Sequence, residues 1–423
     1  MEPGTVGQEV GVFTIVFGLM VILGVAVRHR NIALPLLVGY LLRVTVVLGD
    51  VYLVGYSRKG DGFWWDFWAD QWARDGLAGT LQHIDTGHFL YIWMMSAAYA
   101  VAGRSPLMIQ ALNALFGTLI VLYASRLALE ISGDEGRARR AAWLVSVFPT
   151  AVVHSALLLR EVAVTLPLVI GAYHLSAWLG TRTVRHMIAS VAAVLVSMAF
   201  HSGSVGVLVA AAIWVVANWV RSVVRLRTHR LLADSIAAAA VVAVAVAVVS
   251  TNFGLDKFKG TIESQDFGVV SAVLEPGTKG RTQYLQDLVV QTPSDLIWQT
   301  PIRLAYFLFA PFPWMVSSAV DGLGLVDSAF FVWVAARFVR LRAELRGNTI
   351  ALPVLGSTLV MALVFSMGVT NVGTAIRHRS KMLPILAATV VALGEPRVRA
   401  RRQQNRRTNE LAVGASAPLS GHS

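Results

Sequence analysis

Apolar runs long enough to cross a bilayer recur along this chain from Val10 to Leu393. A membrane-spanning helix needs about 20 apolar residues, and in lipid every backbone N–H and C=O must be satisfied within the protein. Helices packed on helices are the architecture that meets both demands. The charge content agrees: only 14% of the 423 residues are charged, against about a quarter in soluble chains. The sequence therefore predicts an all-α polytopic integral membrane protein of about eleven transmembrane helices, with interfacial helices in the first outer loop.

The formal net charge is +12 and the pI about 10.4. Nucleic acid is one partner such a charge suggests. The basic residues, however, fall in short segments between apolar runs, at 137–140, 182–186, 221–230, 337–346 and 397–407. Cytoplasmic loops look like this, and no nucleic-acid module is visible. There is no cysteine, which excludes a disulfide framework and a cysteine metal site. Residues 1–9 are acidic and carry no Lys or Arg, unlike a signal-peptide n-region, so residues 10–27 are expected to be the first span.

With the basic segments inside, the spans read 10–27, 32–56, 107–131, 141–154, 162–179, 187–200, 203–220, 232–250, 328–338, 349–367 and 382–393. The N-terminus is then outside and the C-terminus cytoplasmic. Residues 88–101 are apolar but short. A crossing there would put 133–140 outside, so an interfacial or partly inserted helix is expected. Residues 303–316 are broken by Pro311 and Pro313 and read as re-entrant or interfacial. The outer loops are 57–87, 251–301 and 368–381. Residues 1–395 form one transmembrane domain. Residues 396–423 are a basic tail expected to be disordered and suited to anionic headgroups.

Charges on the outer face are few, so each is informative. The first outer loop holds Asp61 and Asp66 among Trp64, Trp65, Trp68 and Trp72, which recur near helical spacing. An aromatic belt accounts for the tryptophans but not for the carboxylates. A carboxylate there can take a proton from an acceptor hydroxyl or hold a divalent cation against a phosphate. Arg160 and Glu161 follow at an outer boundary, as a surface ion pair or as a second acid beside a phosphate-binding arginine. Arg377, His378 and Arg379 breach the positive-inside bias, which marks an anion site or a topology shifted by one span. Arg303, with the segment 309–314, suits a lipid-tail groove or a plain interfacial turn. Arg43, inside the second span, pairs with Asp50 or snorkels. His154 and His201, each alone near a span end, read as structural. No Walker A, HExxH, GxSxG or Rossmann fingerprint stands in a credible context.

Together these pieces resemble the GT-C superfamily of membrane glycosyltransferases, in particular bacterial relatives of the dolichyl-phosphate-mannose protein mannosyltransferases. The acidic motif of that family stands here as Asp61, Trp65-Asp66 and Ala69, with Trp65 where an aromatic hydroxyl is usual. Phe89-Leu90-Tyr91, Asn113-Ala114-Leu115-Phe116-Gly117-Thr118, Phe148-Pro149 and Arg160-Glu161 continue the likeness, which is closer over 61–179 than in the second half. The large C-terminal soluble domain of some relatives is absent. The resemblance implies a sugar donor on a polyprenyl phosphate and an extracytoplasmic acceptor that is a glycan, lipid or protein. It places the enzyme in a bacterial plasma membrane, in cell-envelope or polysaccharide synthesis. Asp61 would be the general base, Asp66 or Glu161 a supporting carboxylate, and Arg160, Arg303, Arg377, His378 and Arg379 would face the donor phosphate. An O-antigen-type polymerase or ligase, or a lipid or polysaccharide transporter, are the competing readings.

Overall fold

A computed structural model describes residues 5–224, 228–251, 253, 282–285, 288, 290, 292–316 and 319–394. The expected tail at 396–423 and most of the expected loop at 251–301 lie outside the described residues. Among the described residues the protein is all-α, and its one β feature is an isolated antiparallel bridge between Gln283 and Asn371. The helices are α1 Thr5–Arg28, α2 Ala33–Gly49, α3 Gly60–Ala73, α4 Gly76–Thr80, α5 His88–Ala102, α6 Pro106–Ser132, α7 Glu135–Val147, α8 Pro149–His154 and α9 Glu161–Thr181. They continue as α10 Val184–Phe200, α11 Val205–Val224, α12 Thr228–Thr251, α13 Pro293–Phe309, α14 Ala319–Arg340, α15 Arg342–Gly347, α16 Ala351–Met367 and α17 Val372–Ala392.

Among the described residues, seven helical stretches are long and apolar enough to cross a membrane, and three shorter apolar helices, α5, α10 and α16, accompany them. This is a multi-pass membrane protein. Its centre is α6. Of the apolar window of α6, 78% is buried, against 28% for the first span. Ser105 caps α6 by accepting from the Met108 N–H, and Pro106 at the first position suits that start. The first helix meets α2 and α6 through small residues. A side chain at Gly11 would overlap Leu107, and one at Gly18 would overlap the Tyr40 hydroxyl. Its other face leaves Phe13, Phe17, Met20 and Val27 exposed, as a lipid-facing helix does.

Side-chain contacts sort the connections into two ends. At one, Arg137 donates to the carbonyls of Ala392 and Gly394, Gly394 N–H donates to Glu344, and Arg182 pairs with Asp234 at 3.5 Å. Asp134 caps α7 there. Burial alone would raise its carboxyl; the Arg137 and Gly136 amides outweigh burial and hold it below its ordinary value. At the other end, Gln110 donates to Asp50 at 2.7 Å, Arg160 to the Phe200 carbonyl at 2.9 Å and Arg303 to the Met367 carbonyl at 3.1 Å. Among the described residues, the basic segments at 137–140, 182–186 and 337–346 and the aspartate–tryptophan loop therefore lie at opposite ends.

Three local expectations change. The stretch 141–154 is two helices, broken where Phe148 turns extended before Pro149. The outer loop expected to run to Pro301 ends earlier: α13 starts at Pro293 and continues through Pro301 to Phe309, and the break expected at Pro311 and Pro313 follows from Ala310 on. Arg43 neither pairs with Asp50 nor snorkels. It is buried and donates to Ser155 Oγ at 2.8 Å and to the carbonyls of Gly39 and Ser146. A serine and two carbonyls lie nearer to its guanidinium than any acid in its span, so its hydrogen bonds are made without a carboxylate.

Candidate functional site

The site is assembled by α3, the turn before α9, and the first half of α17. In α3, Gly62, Trp65, Asp66 and Ala69 face inward while Asp61, Trp64, Phe67 and Trp68 stay exposed. That i, i+3, i+4, i+7 spacing gives one buried stripe on a short helix. Gly62 lets this stripe approach the turn at 157–159; a Cβ there would lie 2.7 Å from the Ser57 carbonyl and 3.2 Å from that of Leu158. Asn113 of α6 holds the same turn, donating to the carbonyls of Leu157 and Leu159. Its buried leucines leave Arg160 and Glu161 at the start of α9, where the helix dipole favours the carboxylate.

Arg377 ties the parts together. Its Nε donates to Glu161 Oε1 and its Nη1 to Asp61 Oδ2. The two acids differ sharply: the Asp61 side chain is 53% exposed and that of Glu161 only 3%. Lys381, one turn further along α17, lies 3.5 Å from Glu161 and donates to His378 Nδ1 at 2.7 Å. His378 in turn stacks on Phe365 and meets His201 edge-on. The Trp65 ring carries Arg377 at 5.5 Å and Arg160 at 5.9 Å. The residue standing in place of an aromatic hydroxyl thus orients two guanidiniums by its π face.

The other sequence candidates are placed differently. Asp66 faces away from Arg377: it accepts from Tyr99 OH at 2.8 Å and from Arg104. That bond to Asp66 holds the Arg104 guanidinium above its ordinary pKa. Asp61 and Asp66 are thus each engaged by a different arginine. The pair does not converge on one position where a cation would sit. Arg379 is fully buried, paired with Asp327 at 2.8 Å and bonded to the Leu308 carbonyl at 2.7 Å. Arg303 is also buried and donates to Gln299, Met367 and Leu288. The structure therefore unites Asp61, Arg160, Glu161, Arg377 and His378, and gives Asp66, Arg303 and Arg379 to separate networks.

No protein-family model matches this chain, and no curated protein does. The site therefore rests on its own geometry. One member of the cluster and two partners of Asp66 escaped the sequence reading. Lys381 looked like the end of an outer segment; its i, i+4 relation to Arg377 was the available signal. Arg104 and Tyr99, the partners of Asp66, gave none, because their contact joins α3 to the end of α5.

Chemically, the cluster holds the carboxylates Asp61 and Glu161 against the cations Arg160, Arg377 and Lys381. Positive charge is in excess, and one carboxylate is open. An anion can be bound here beside a base.

Proposed function

We propose that this protein transfers a sugar from a polyprenyl-phosphate-linked donor to a glycan, lipid or protein acceptor at the extracytoplasmic face of a bacterial plasma membrane. The observation that carries the reading is the Arg377 guanidinium, shared between exposed Asp61 and buried Glu161. A donor phosphate has the charge and the planar pair of oxygens to take over the N–H that Asp61 now accepts. Glu161 keeps hold of the Nε, so the guanidinium stays aimed. Asp61, released, is then the base.

In the step proposed, Asp61 takes the proton of an acceptor hydroxyl as its oxygen forms a bond to the anomeric carbon. The bond from that carbon to the phosphate oxygen breaks, and polyprenyl phosphate leaves with the electron pair. Arg377, Lys381 and Arg160 stabilise the charge on the leaving phosphate. Attack opposite the leaving group inverts the anomeric centre. The exposed Trp64, Phe67 and Trp68 beside Asp61 suit a headgroup boundary, where a lipid-linked phosphate lies.

The test is incubation of the purified protein with a panel of polyprenyl-phosphate sugars, following release of polyprenyl phosphate and labelled product. Transfer from at least one donor, absent in Asp61→Asn, is expected. Absence of transfer from every donor with a correctly folded wild type rejects the reading.

A further inference from the structure

Behind α3, on the side turned away from Arg377, lies a cleft of about 170 Å³. It is bounded by the start of α1, the turn at 50–58, α3 and the start of α6. The volume matches roughly five or six waters at about 30 Å³ each, the room of one sugar ring. Its polar wall is built by side chains held in fixed positions. Buried Asp50 accepts from Gln110 Nε2 at 2.7 Å and from the Ser57 N–H at 3.2 Å. Gln110 donates also to Ser57 Oγ at 3.1 Å, and Asp66 is fixed by Tyr99 and Arg104. A carboxylate offers about four lone-pair positions; Asp50 uses one on each oxygen, so it keeps acceptor capacity. The half-exposed Phe63 forms an apolar edge.

The charges of this cleft cancel. Asp50 and Asp66 stand against Arg58 and Arg104, and each guanidinium is already engaged, Arg58 with the Val51 carbonyl and Arg104 with Asp66. An anion would meet two carboxylates, and a cation would meet two arginines. Fixed acceptors and donors beside an aromatic edge, with no net charge, match a neutral ring of hydroxyls lying flat on an apolar face. The cation-rich Arg377 cluster on the other side of α3 differs in this respect.

We infer that this cleft binds a neutral hexose unit, a sugar of a glycan acceptor away from its reacting hydroxyl, with Asp50, Asp66 and Gln110 reading its hydroxyls and Phe63 stacking on its ring. The acceptor role rests on the proposed transferase reading; the binding does not. Ser57 connects the two sites, since its hydroxyl also accepts the Leu158 N–H two residues before Arg160.

The experiment is saturation-transfer NMR on the protein in lipid nanodiscs, free of sugar detergents, with methyl hexopyranosides as probes. Saturation of neutral hexosides is expected in the wild type and in Asp61→Asn. In Phe63→Ala and in Gln110→Leu the affinity should fall about three- to tenfold, the loss of one stacking contact or one hydrogen bond. Phe63 is half exposed, so its removal leaves folding intact even if the Gln110 variant misfolds. No saturation in the wild type overturns the inference, as does unchanged saturation in Phe63→Ala. Stronger binding of an N-linked amino sugar or a uronic acid would overturn the neutral class. Sugar saturation without transfer from any donor would refute the transferase reading and leave the cleft assigned.

Discussion

Arg377 and Arg379 sit two residues apart and do different work. On a helix that spacing is about 200° of rotation, so one guanidinium reaches Asp61 and Glu161 while the other is buried against Asp327. Their variants should therefore part company. Arg377→Ala is expected to weaken donor binding by about one to two orders of magnitude, the loss of charge-assisted hydrogen bonds. Arg377→Lys should recover only part, because an ammonium lacks the fork. Arg379→Ala strands a buried carboxylate and should lower stability by about 3–5 kcal/mol, and the double change Arg379→Met with Asp327→Leu should restore most of it. Donor titration and thermal melting of the four variants distinguish the two roles. Asp61→Asn should cut transfer by about two to four orders of magnitude and leave melting unchanged, because the side chain is half exposed. Near-native turnover in that variant would remove Asp61 from the chemistry.

Helix α3 is the element that separates the two polar regions, and its seating depends on a residue with no side chain. Gly62 lies against the backbone oxygens of Ser57 and Leu158, and backbone cannot move aside as a flexible side chain can. Gly62→Ala should push α3 outward and cost about 1–3 kcal/mol, with loss of transfer because Asp61 leaves the reach of Arg377. Gly24→Ala is the control. Nothing lies within 4 Å of its Cβ position and it is helical, so that change should be neutral or stabilising by up to about 1 kcal/mol. Equal melting temperatures for the two variants would show that α3 is not held by close approach. The Trp spacing made α3 legible as a surface helix. It did not reveal which face would be covered, since four tryptophans, two phenylalanines and three aspartates are spread around it and its stripe is defined by what packs there.

At the scale of the molecule, the acidic, aromatic loop and the described basic segments at 137–140, 182–186 and 337–346 stand at opposite ends of one helical bundle. Under the positive-inside bias the Asp61 end should face the outside. The chain has no cysteine, so single introduced cysteines report cleanly. Cysteines at Gly60 and Leu77 should react with an impermeant thiol reagent added to intact cells. One at Arg139 should react only after permeabilisation, and the reverse pattern would invert the proposed orientation.

The apolar runs determined that the chain spans a membrane as a helical bundle, because uninterrupted runs of that length fit a helix, which satisfies its own backbone in lipid, and not the short alternating strands of a barrel. The alternation of basic segments with those runs proposes an order for the passes, since each reversal of the chain carries its own charge signature. The acids and arginines that could matter were also legible, as charges too rare in such a chain to be incidental. Their partners were not. Arg377 meets Asp61 across more than 300 residues of sequence, Asp66 is claimed by Arg104, and Arg43 is satisfied by a serine and two carbonyls instead of Asp50. Pattern along a chain fixes which face of a helix is apolar and how long it is. Which polar groups end in contact depends on how helices rotate and pack against one another, and that was decided only by the tertiary structure.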